Sequence, residues 1–342
     1  MDIEDLQIKS EVLLSKEPKL RVLNVADKLG VKERDLVQAD CCGIESTYLG
    51  DDFRAVYRRL PELGKILSLT RNPWCVHERK GAYETLKVGK AGPVAIALGK
   101  DIDLRIFFKN WSTVWYVEQN GRRSIQFFDK AGVAIQKIYA LEESNTEALQ
   151  AIVDEFKQDK SQVPALEPIA KEVHDSDLPA QLREEWLAMK DTHDFGPLLK
   201  KWNVPRLSIY EAAGSDLAQQ ISVDNIEQML NQVVQQQIPL MVFVGNSGLV
   251  QIHSGVIHKL MRTGSWFNIL DPDFNLHLNT EAISQVWVVN KPTEDGWVTS
   301  MEAYAKNGEL IAQFFGVRKP GVPELSAWRN LLCSYVKEPL AA

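Results

Sequence analysis

The sequence has few cysteines and no spacing that would join them into a site. Its four cysteines are Cys41, Cys42, Cys75 and Cys333. They form neither a Cys-x-x-Cys pair nor a spaced framework, so the sequence lacks the signature of a disulfide-rich domain. Reduced thiols in a cytoplasm are the interpretation that this pattern favours.

The sequence also lacks a long apolar run and an apolar leader segment. The longest apolar run lies around residues 239–244 and is far too short to cross a bilayer. The chain starts with Met-Asp-Ile-Glu-Asp-Leu, without the basic and apolar regions of a secretory signal peptide. We therefore expect a cytoplasmic protein without a membrane span.

Basic residues are fewer than acidic residues. The chain has 39 lysines and arginines against 46 acidic residues, for a net charge of -7. Because phosphate binding needs a net basic face, this balance argues against nucleic acid as the main partner, although it is compatible with a local basic pocket for a small dianion. No HExxH, Gly-rich phosphate loop or GxSxG motif occurs, which leaves protease, kinase and lipase functions without a motif.

What the sequence does contain is one pattern that occurs twice. The segment Ser124–Gly132 matches Ser300–Gly308, and a strand-like segment follows each copy. Further pairs keep the same order and similar spacing: Arg105 with His277, Trp115 with Trp287, Asn72 with Asn246, and Val31 with Val204. A length of 342 residues predicts two domains. A period near half the chain indicates duplication of a whole domain, because solenoid repeats are much shorter.

The local patterns predict an α+β fold with antiparallel sheets. Alternation around Val114–Val117 is typical of a half-buried strand, and Asn-Gly at 120–121 and 307–308 predicts hairpins. The remaining predicted elements are strands at Ile135–Tyr139 and Ile311–Phe315, a polar turn at Pro292–Gly296, and helices at Thr146–Phe156 and Pro323–Val336. Residues 1–157 form the N-terminal repeat, proline-containing residues 158–180 a linker, and residues 181–342 the C-terminal repeat.

The C-terminal repeat opens on a segment, residues 181–193, that predicts an amphipathic helix. Leu182, Trp186, Met189 and His193 share one helical face. Gly196-Pro197 predicts the end of this helix and a new helix from Pro197. The partial negative charge of a helix C-terminus would favour a His193 imidazole that donates to a Lewis-acidic metal. Periodicity alone favours the alternative, a histidine at the edge of the core that bonds a carbonyl.

Five longer segments carry a resemblance to a known family. They are Trp186–His193, Met241–Asn246, Asp103–Trp111, Ser124–Asp129 and Lys291–Ser300. With them the sequence resembles the bacterial haem-utilisation proteins of the HemS, ChuS and HmuS type over nearly the whole chain. The resemblance implies a tandem duplication of a unit with a large antiparallel β-sheet and flanking helices, which agrees with the repeat.

The resemblance also implies haem bound between the halves, with His193 as the axial ligand of the iron. It implies that Arg105, Arg206, Lys291 and Arg318 bind the propionates or face the distal side. Phe315 stands where many members have a tyrosine, which removes one propionate hydrogen bond, whereas the first repeat has Tyr139 at the equivalent place. His77 is a second candidate for a haem contact. Phe107, Phe243 and Phe315 are candidates for the apolar walls.

Residue type alone assigns these cations ordinary roles. Arg105 in a strand usually points to solvent, Lys291 before a proline is a turn residue, and Arg318 beside Lys319 is a surface charge. Arg206 at a predicted helix start is disfavoured by the helix dipole, which makes a functional reason for it plausible. His253 and His258 are not spaced as a tight metal pair.

Three functions follow from these interpretations. The first is oxidative opening of haem with iron release, in which Arg105 stabilises negative charge on oxygen and an external reductant or reductase supplies electrons, since no flavin or nicotinamide fingerprint is present. The second is a haem carrier or store that accepts haem from an importer and delivers it to a haem oxygenase. The third is an interaction scaffold without haem.

Overall fold

The computed structural model describes residues 2–170, 174, 175, 177–319 and 321–342. Residues 171–173 and 176 of the predicted linker lie outside the described residues. The chain divides into two compact units. Unit 1 comprises Met1–Arg71, His77–Ala170 and Gly245–Gln251; unit 2 comprises Asn72–Val76, Lys171–Val244 and Ile252–Ala342. Each unit therefore includes a short segment that is remote in sequence from the rest of it.

The described residues contain ten α-helices and eighteen strands. The helices are α1 (Ile3–Lys16), α2 (Val22–Leu29), α3 (Glu33–Gln38), α4 (Phe53–Arg59), α5 (Thr146–Phe156), α6 (Leu182–Leu187), α7 (Phe195–Trp202), α8 (Arg206–Ala213), α9 (Asn225–Gln236) and α10 (Ser326–Cys333). The strands are β1 (Ile44–Tyr48), β2 (Ile66–Arg71), β3 (Cys75–Gly81), β4 (Thr85–Lys87), β5 (Val94–Leu98), β6 (Asp103–Phe107), β7 (Trp111–Gln119), β8 (Arg122–Asp129), β9 (Ala134–Ala140), β10 (Ala218–Ile221), β11 (Leu240–Gly245), β12 (Leu249–Gly255), β13 (Leu260–Thr263), β14 (Trp266–Leu270), β15 (Phe274–Asn279), β16 (Ile283–Thr293), β17 (Gly296–Ala305) and β18 (Leu310–Gly316).

Each unit holds the same antiparallel run of five strands. In unit 1 the order is β1-β7-β8-β9-β2, and in unit 2 it is β10-β16-β17-β18-β11. The registers also agree, because Trp115 pairs with Gln126 as Trp287 pairs with Glu302. Each unit has in addition a run of three strands, β4-β5-β6 or β13-β14-β15. Across the described residues the strands form two antiparallel sheets of nine strands each, which confirms the predicted α+β duplication.

The predicted elements agree with the structure best where turn chemistry is strong. Helix α5 has the predicted bounds, and β9 and β18 each extend one residue beyond both ends of their prediction. Asn120 and Gly121 both have positive φ, as a two-residue hairpin requires. The turn predicted at Pro292–Gly296 was too long, since Pro292 and Thr293 continue β16. The helix predicted at Pro323–Val336 is confined to α10.

The five-strand run of unit 2 is covered by helices on both faces. On one face, α9 and α10 pack Met229, Val233 and Trp328 against buried residues of the strands, among them Val288. On the other face, α6, α7 and α8 pack over β16 and β17. On this second face the cover does not bury β11 and β18 completely, because their side chains there are only half-buried. A strip of β11 and β18 therefore stays partly exposed on this face.

An asparagine holds each remote segment in its unit. In unit 1, the Asn246 amide donates to the carbonyls of Arg71 (3.0 Å) and Ile135 (2.8 Å). In unit 2, the Asn72 amide donates to the carbonyl of Ile311 at 2.8 Å. Because Ile135 and Ile311 are equivalent in the two repeats, the duplication has preserved this contact.

No helix in the described part of the chain is long and apolar enough to span a membrane.

Candidate functional site

The structure places His193 outside the helix in which the sequence predicted it. The predicted helix over residues 181–193 is wrong beyond Leu187, where α6 ends, and a separate 3₁₀ turn, Thr192–Asp194, carries the histidine. Leu182, Trp186 and Met189 are buried as the stripe predicts, but the His193 side chain is 81% exposed. The next helix starts at Phe195 and not at Pro197.

Two aspartates cause the early helix end. The Asp191 carboxylate accepts a hydrogen bond from the His193 backbone N–H at 2.8 Å. The Asp194 carboxylate accepts from the backbone N–H groups of Asp191 and Lys190, each at 3.0 Å. These reciprocal bonds form a capping box, which starts a new turn where a continuous helix would have run on.

Asp191 also orients the imidazole of His193. The His193 Nδ1 lies 2.6 Å from an Asp191 carboxylate oxygen. The pKa of Asp191 is lowered by the backbone and side-chain hydrogen bonds from His193 and by the charges of His193 and Arg318. Because Asp191 engages Nδ1, the Nε2 atom of the exposed ring is directed away from this contact. A carboxylate on the far nitrogen is the usual partner of a metal-binding histidine.

The turn that carries His193 rests on the β16–β17 hairpin. The backbone N–H of Glu294 donates to the Lys190 carbonyl at 2.8 Å. Arg318, which follows β18, lies 3.6 Å from a carboxylate oxygen of Asp295 in the same hairpin, and its side chain is 14% exposed. The structure therefore brings Arg318 to the neighbourhood of the His193 turn, where the sequence alone assigned it a surface role.

Phe195 connects the His193 turn to two predicted cations. Its ring is buried, and it contacts the rings of Trp186 and Tyr210 at centroid distances of 4.9 and 6.2 Å. Lys291 Nζ lies 4.7 Å from the Phe195 ring centroid, and the Arg206 guanidinium carbon lies 5.5 Å from it. Such distances are typical of cation–π contacts.

Lys291 and Arg206 share a buried carboxylate, that of Glu302, which the sequence analysis did not identify. Glu302 is fully buried on β17. Five side chains donate to its two oxygens: Tyr210 (2.7 Å), Tyr304 (2.7 Å), Ser300 (2.8 Å), Lys291 (3.0 Å) and Arg206 (3.3 Å). The signal that could have identified it is an acidic residue inside an otherwise apolar and small-residue strand.

Glu302, Lys291, Arg206, Tyr210 and Tyr304 form the Glu302 cluster, which carries one surplus positive charge. Burial opposes ionisation of Glu302, but the charges of Lys291 and Arg206 and the two tyrosine donors hold the pKa of its carboxyl far below the ordinary range. Burial and the Glu302 charge raise the pKa of Tyr210 and Tyr304, which stay neutral donors. Two cations therefore face one carboxylate. Of these cations, Lys291 is 4% exposed and Arg206 is 28% exposed, so Arg206 is the one open to an external anion.

A strip of apolar side chains adjoins this cluster. Phe243 and Phe315, on the neighbouring strands β11 and β18, are half-buried, and their ring centroids are 5.0 Å apart. Lys291 Nζ lies 6.0 Å from the Phe315 ring centroid. The same cation therefore contacts both Phe195 and Phe315, which joins the His193 turn to an apolar face that is partly open.

The other predicted residues lie on other elements. Arg105 lies on β6 of unit 1, where its guanidinium pairs with Asp103 and its side chain is 30% exposed. Phe107, on the same strand, is exposed. His77 is fully buried in β3, which leaves its imidazole no open side in this structure. His258 is exposed beside Asp271, and no cluster of three or more potential metal ligands occurs among the described residues.

One shallow groove adjoins the His193 turn. It has a volume of about 600 Å³ and is lined by Glu185, Ala188, Met189, Asp194, Pro197, Leu198 and Lys201. These residues belong to the α6–α7 region and include neither Phe315 nor Lys291. The groove is therefore distinct from the apolar strip.

Comparisons with known proteins agree on one family. The model of the haemin-degrading HemS.ChuX domain matches residues 30–156 and again residues 203–335. The chain is 35% identical to the hemin transport protein HmuS of Yersinia pestis, over 93% of this chain and 94% of that one. The crystal structure of holo-PhuS, a heme-binding protein from Pseudomonas aeruginosa, matches with a TM-score of 0.93 and 40% identity, over 98% and 99% of the chains. That of ChuS, an E. coli heme oxygenase, matches with a TM-score of 0.87 and 32% identity, over 97% and 100%.

Proposed function

Because this chain belongs to the haemin-degrading HemS family, we propose that it binds haem in unit 2 with His193 as the axial ligand of the iron. The observation that carries the proposal is the placement of His193. Its imidazole is exposed, a carboxylate lies at its Nδ1, and its turn is linked through Phe195 and Lys291 to the apolar strip. Neutral imidazole is a suitable ligand for haem iron.

The residues around His193 fit the other parts of a haem molecule. Phe243 and Phe315 offer half-buried rings to the apolar macrocycle, whose burial contributes roughly 25 cal/mol per Å². The exposed part of Arg206 and the surplus charge of the Glu302 cluster suit a propionate carboxylate. We assign Lys291 to holding that charge in place, because its ammonium group is itself buried against Glu302. Arg318 is a further propionate candidate.

Relatives of this chain include both a hemin transport protein and a heme oxygenase. We favour oxidative degradation, for which haem supplies an iron centre and an external reductant or reductase supplies electrons. The chain's own residues bind the macrocycle and orient the ligand imidazole. That Arg105 stabilises negative charge on oxygen stays a prediction. A cytoplasmic location of the protein stays a prediction as well. Delivery of imported haem to a separate haem oxygenase is the alternative.

One experiment separates the two functions. The purified protein is titrated with haemin, and ascorbate or a reductase is then added in air while the Soret band and free ferrous iron are followed. Degradation predicts loss of the Soret band with stoichiometric iron release. Delivery predicts an intact Soret band and transfer of haem to an added apo-acceptor. No Soret band on adding haemin would contradict haem binding altogether and would favour an interaction scaffold.

Phe315→Tyr should slow haem loss by about two- to threefold, which corresponds to one additional weak hydrogen bond. The new hydroxyl would extend from the half-buried edge of Phe315, beside Lys291, to where a propionate is expected. The dissociation rate of haem to apomyoglobin measures the effect. Phe156→Tyr, at a partly buried phenylalanine that ends α5 in unit 1, is the matched control and should leave the rate unchanged. Equal rates for wild type and Phe315→Tyr would place the propionates elsewhere.

Asp191→Asn should weaken haemin binding by about tenfold, because partners of a metal-binding histidine contribute roughly 10–100-fold to affinity. The amide keeps the shape of Asp191 but removes the charge that favours the Nδ1-protonated tautomer, in which Nε2 is the free donor. Haemin titration monitored at the Soret maximum measures the affinity. Asp271→Asn, beside the exposed His258, is the control. An unchanged affinity would show that Asp191 only builds the turn.

A further inference from the structure

We propose that Glu302 is a positioning residue that holds Lys291 and Arg206 against the ring of Phe195 and so fixes the turn that carries His193. The inference rests on the proposed function in one respect, the role of His193 as haem ligand. It concerns a buried carboxylate that binds no part of the ligand itself.

The duplicated fold provides an internal control for the Glu302 cluster. The position equivalent to Glu302 in unit 1 is Gln126, which lies in the same register opposite Trp115. Where unit 2 has Tyr304 and Tyr210, unit 1 has Phe128 and Val37. The same five-strand run therefore forms without a buried carboxylate or tyrosines at these places.

Unit 1 has its own buried carboxylate, but at a different element. Glu33, in the first turn of α3, pairs with Arg71 and with Lys137 Nζ, the latter at 2.6 Å. At the position equivalent to Glu33, unit 2 has Arg206. The helix start that carries a carboxylate in unit 1 therefore carries a cation in unit 2, and this cation lies close to the ring of Phe195.

Taking a carboxylate and an ammonium group out of water is costly, and such an ion pair often stabilises a fold no more than apolar residues of the same size. Unit 1 forms its five-strand run without this cluster, which lies in the same unit as His193, so the cluster calls for a local explanation. The contacts supply one. Both cations and Tyr210 touch the Phe195 ring, and Phe195 follows His193 by two residues.

The contacts also explain why the carboxylate must be charged. Lys291 and Arg206 would repel each other, and burial lowers the pKa of Lys291. The Glu302 charge opposes this lowering of the Lys291 pKa, and its carboxylate holds both cations close to the Phe195 ring. Without it, the cation–π contacts that fasten Phe195 would weaken, and the turn would sample other positions.

Hydrogen exchange of the haem-free protein tests the positioning directly. Glu302→Gln copies the residue of unit 1 and should raise exchange of the amides in residues 189–196 by at least about tenfold. Glu33→Gln, which removes the equally buried carboxylate of unit 1, should destabilise the protein as well but leave exchange in residues 189–196 unchanged. If both variants raised exchange there alike, or if Glu302→Gln did not raise it, the positioning role would be wrong.

A second measurement tests whether the Glu302 cluster affects haem binding. In Glu302→Gln, haem dissociation should accelerate about tenfold and the electron paramagnetic resonance spectrum of ferric haem should show more than one ligation form, neither of which a uniform loss of stability produces. If Glu302→Gln does not fold, Tyr304→Phe provides the same test with a smaller effect, about threefold. A change in exchange without any change in haem spectra would retain the positioning of the turn and contradict the proposed ligand.

Discussion

His193→Ala should lower the affinity for haemin by about a hundredfold, or about 2.7 kcal/mol, and shift the Soret maximum. The reason is that His193 presents an exposed imidazole on the turn that Phe195 and Lys291 connect to the apolar strip. The macrocycle would keep its contacts with Phe243 and Phe315, so weak binding should persist. Haemin titration with the Soret band as signal measures both effects.

The control for this prediction is His258→Ala. Like His193, His258 is exposed and lies beside an aspartate, Asp271, at 3.4 Å. It belongs to neither the Glu302 cluster nor the apolar strip. The variant should bind haemin as wild type does. If His193→Ala bound haemin as wild type does, the axial role of His193 would have to be abandoned. An equal loss of binding in both variants would also contradict that role, because the loss would not be specific to His193.

Asn246→Ala should reduce the free energy of unfolding by about 3 kcal/mol, since a buried group that loses its partner costs roughly 1–3 kcal/mol. The carboxamide donates to the carbonyls of Arg71 and Ile135, and it accepts from the backbone N–H groups of Gly248 and Leu249 at 3.0 and 3.2 Å. Alanine would remove these four bonds at once. Denaturant unfolding, followed by tryptophan fluorescence, measures the loss.

The surroundings of Asn246 leave little room for compensation. Gly248 packs against Trp111, and a Cβ added to Gly248 would lie 2.6 Å from Trp111 Nε1. The same Nε1 atom donates a hydrogen bond to the Gly248 carbonyl. The segment is therefore packed as well as hydrogen-bonded. Asn231→Ala, at an exposed helical position with one hydrogen bond to the Glu227 carbonyl, is the control and should change stability by less than about 0.5 kcal/mol. A similarly small change for Asn246→Ala would mean that the segment is not held by its asparagine.

The histidine segment shows where prediction from sequence succeeded and where it did not. The spacing of Leu182, Trp186 and Met189 correctly predicted three buried side chains. It did not predict that the helix ends at Leu187, because the aspartates on either side of His193 bond the backbone locally and compete with the helix. Residue spacing assumes an uninterrupted helix. It therefore placed His193 on the apolar face of a helix that ends, in the structure, at Leu187.

The cations show a second kind of limit. Their residue types predicted solvated side chains, and the resemblance implied propionate contacts for Arg206 and Lys291. The structure places both against Glu302, 96 and 11 residues away from them in sequence. No local pattern connects residues at such separations, because the contact depends on which face of β17 meets α8. Only the apolar character of the strand around Glu302 hinted that its carboxylate would need partners.

The sequence by itself determined the duplication, the α+β class, and several strands with the hairpin at Asn120 and Gly121, because strand periodicity and turn residues act over a few neighbouring residues. Only the tertiary structure decided that His193 is exposed and that Glu302 pairs with two cations close to the Phe195 ring. It also decided that residues 72–76 and 245–251 belong to units whose other residues are remote from them in sequence. These features depend on packing between distant segments, where burial and charge pairing outweigh local preference.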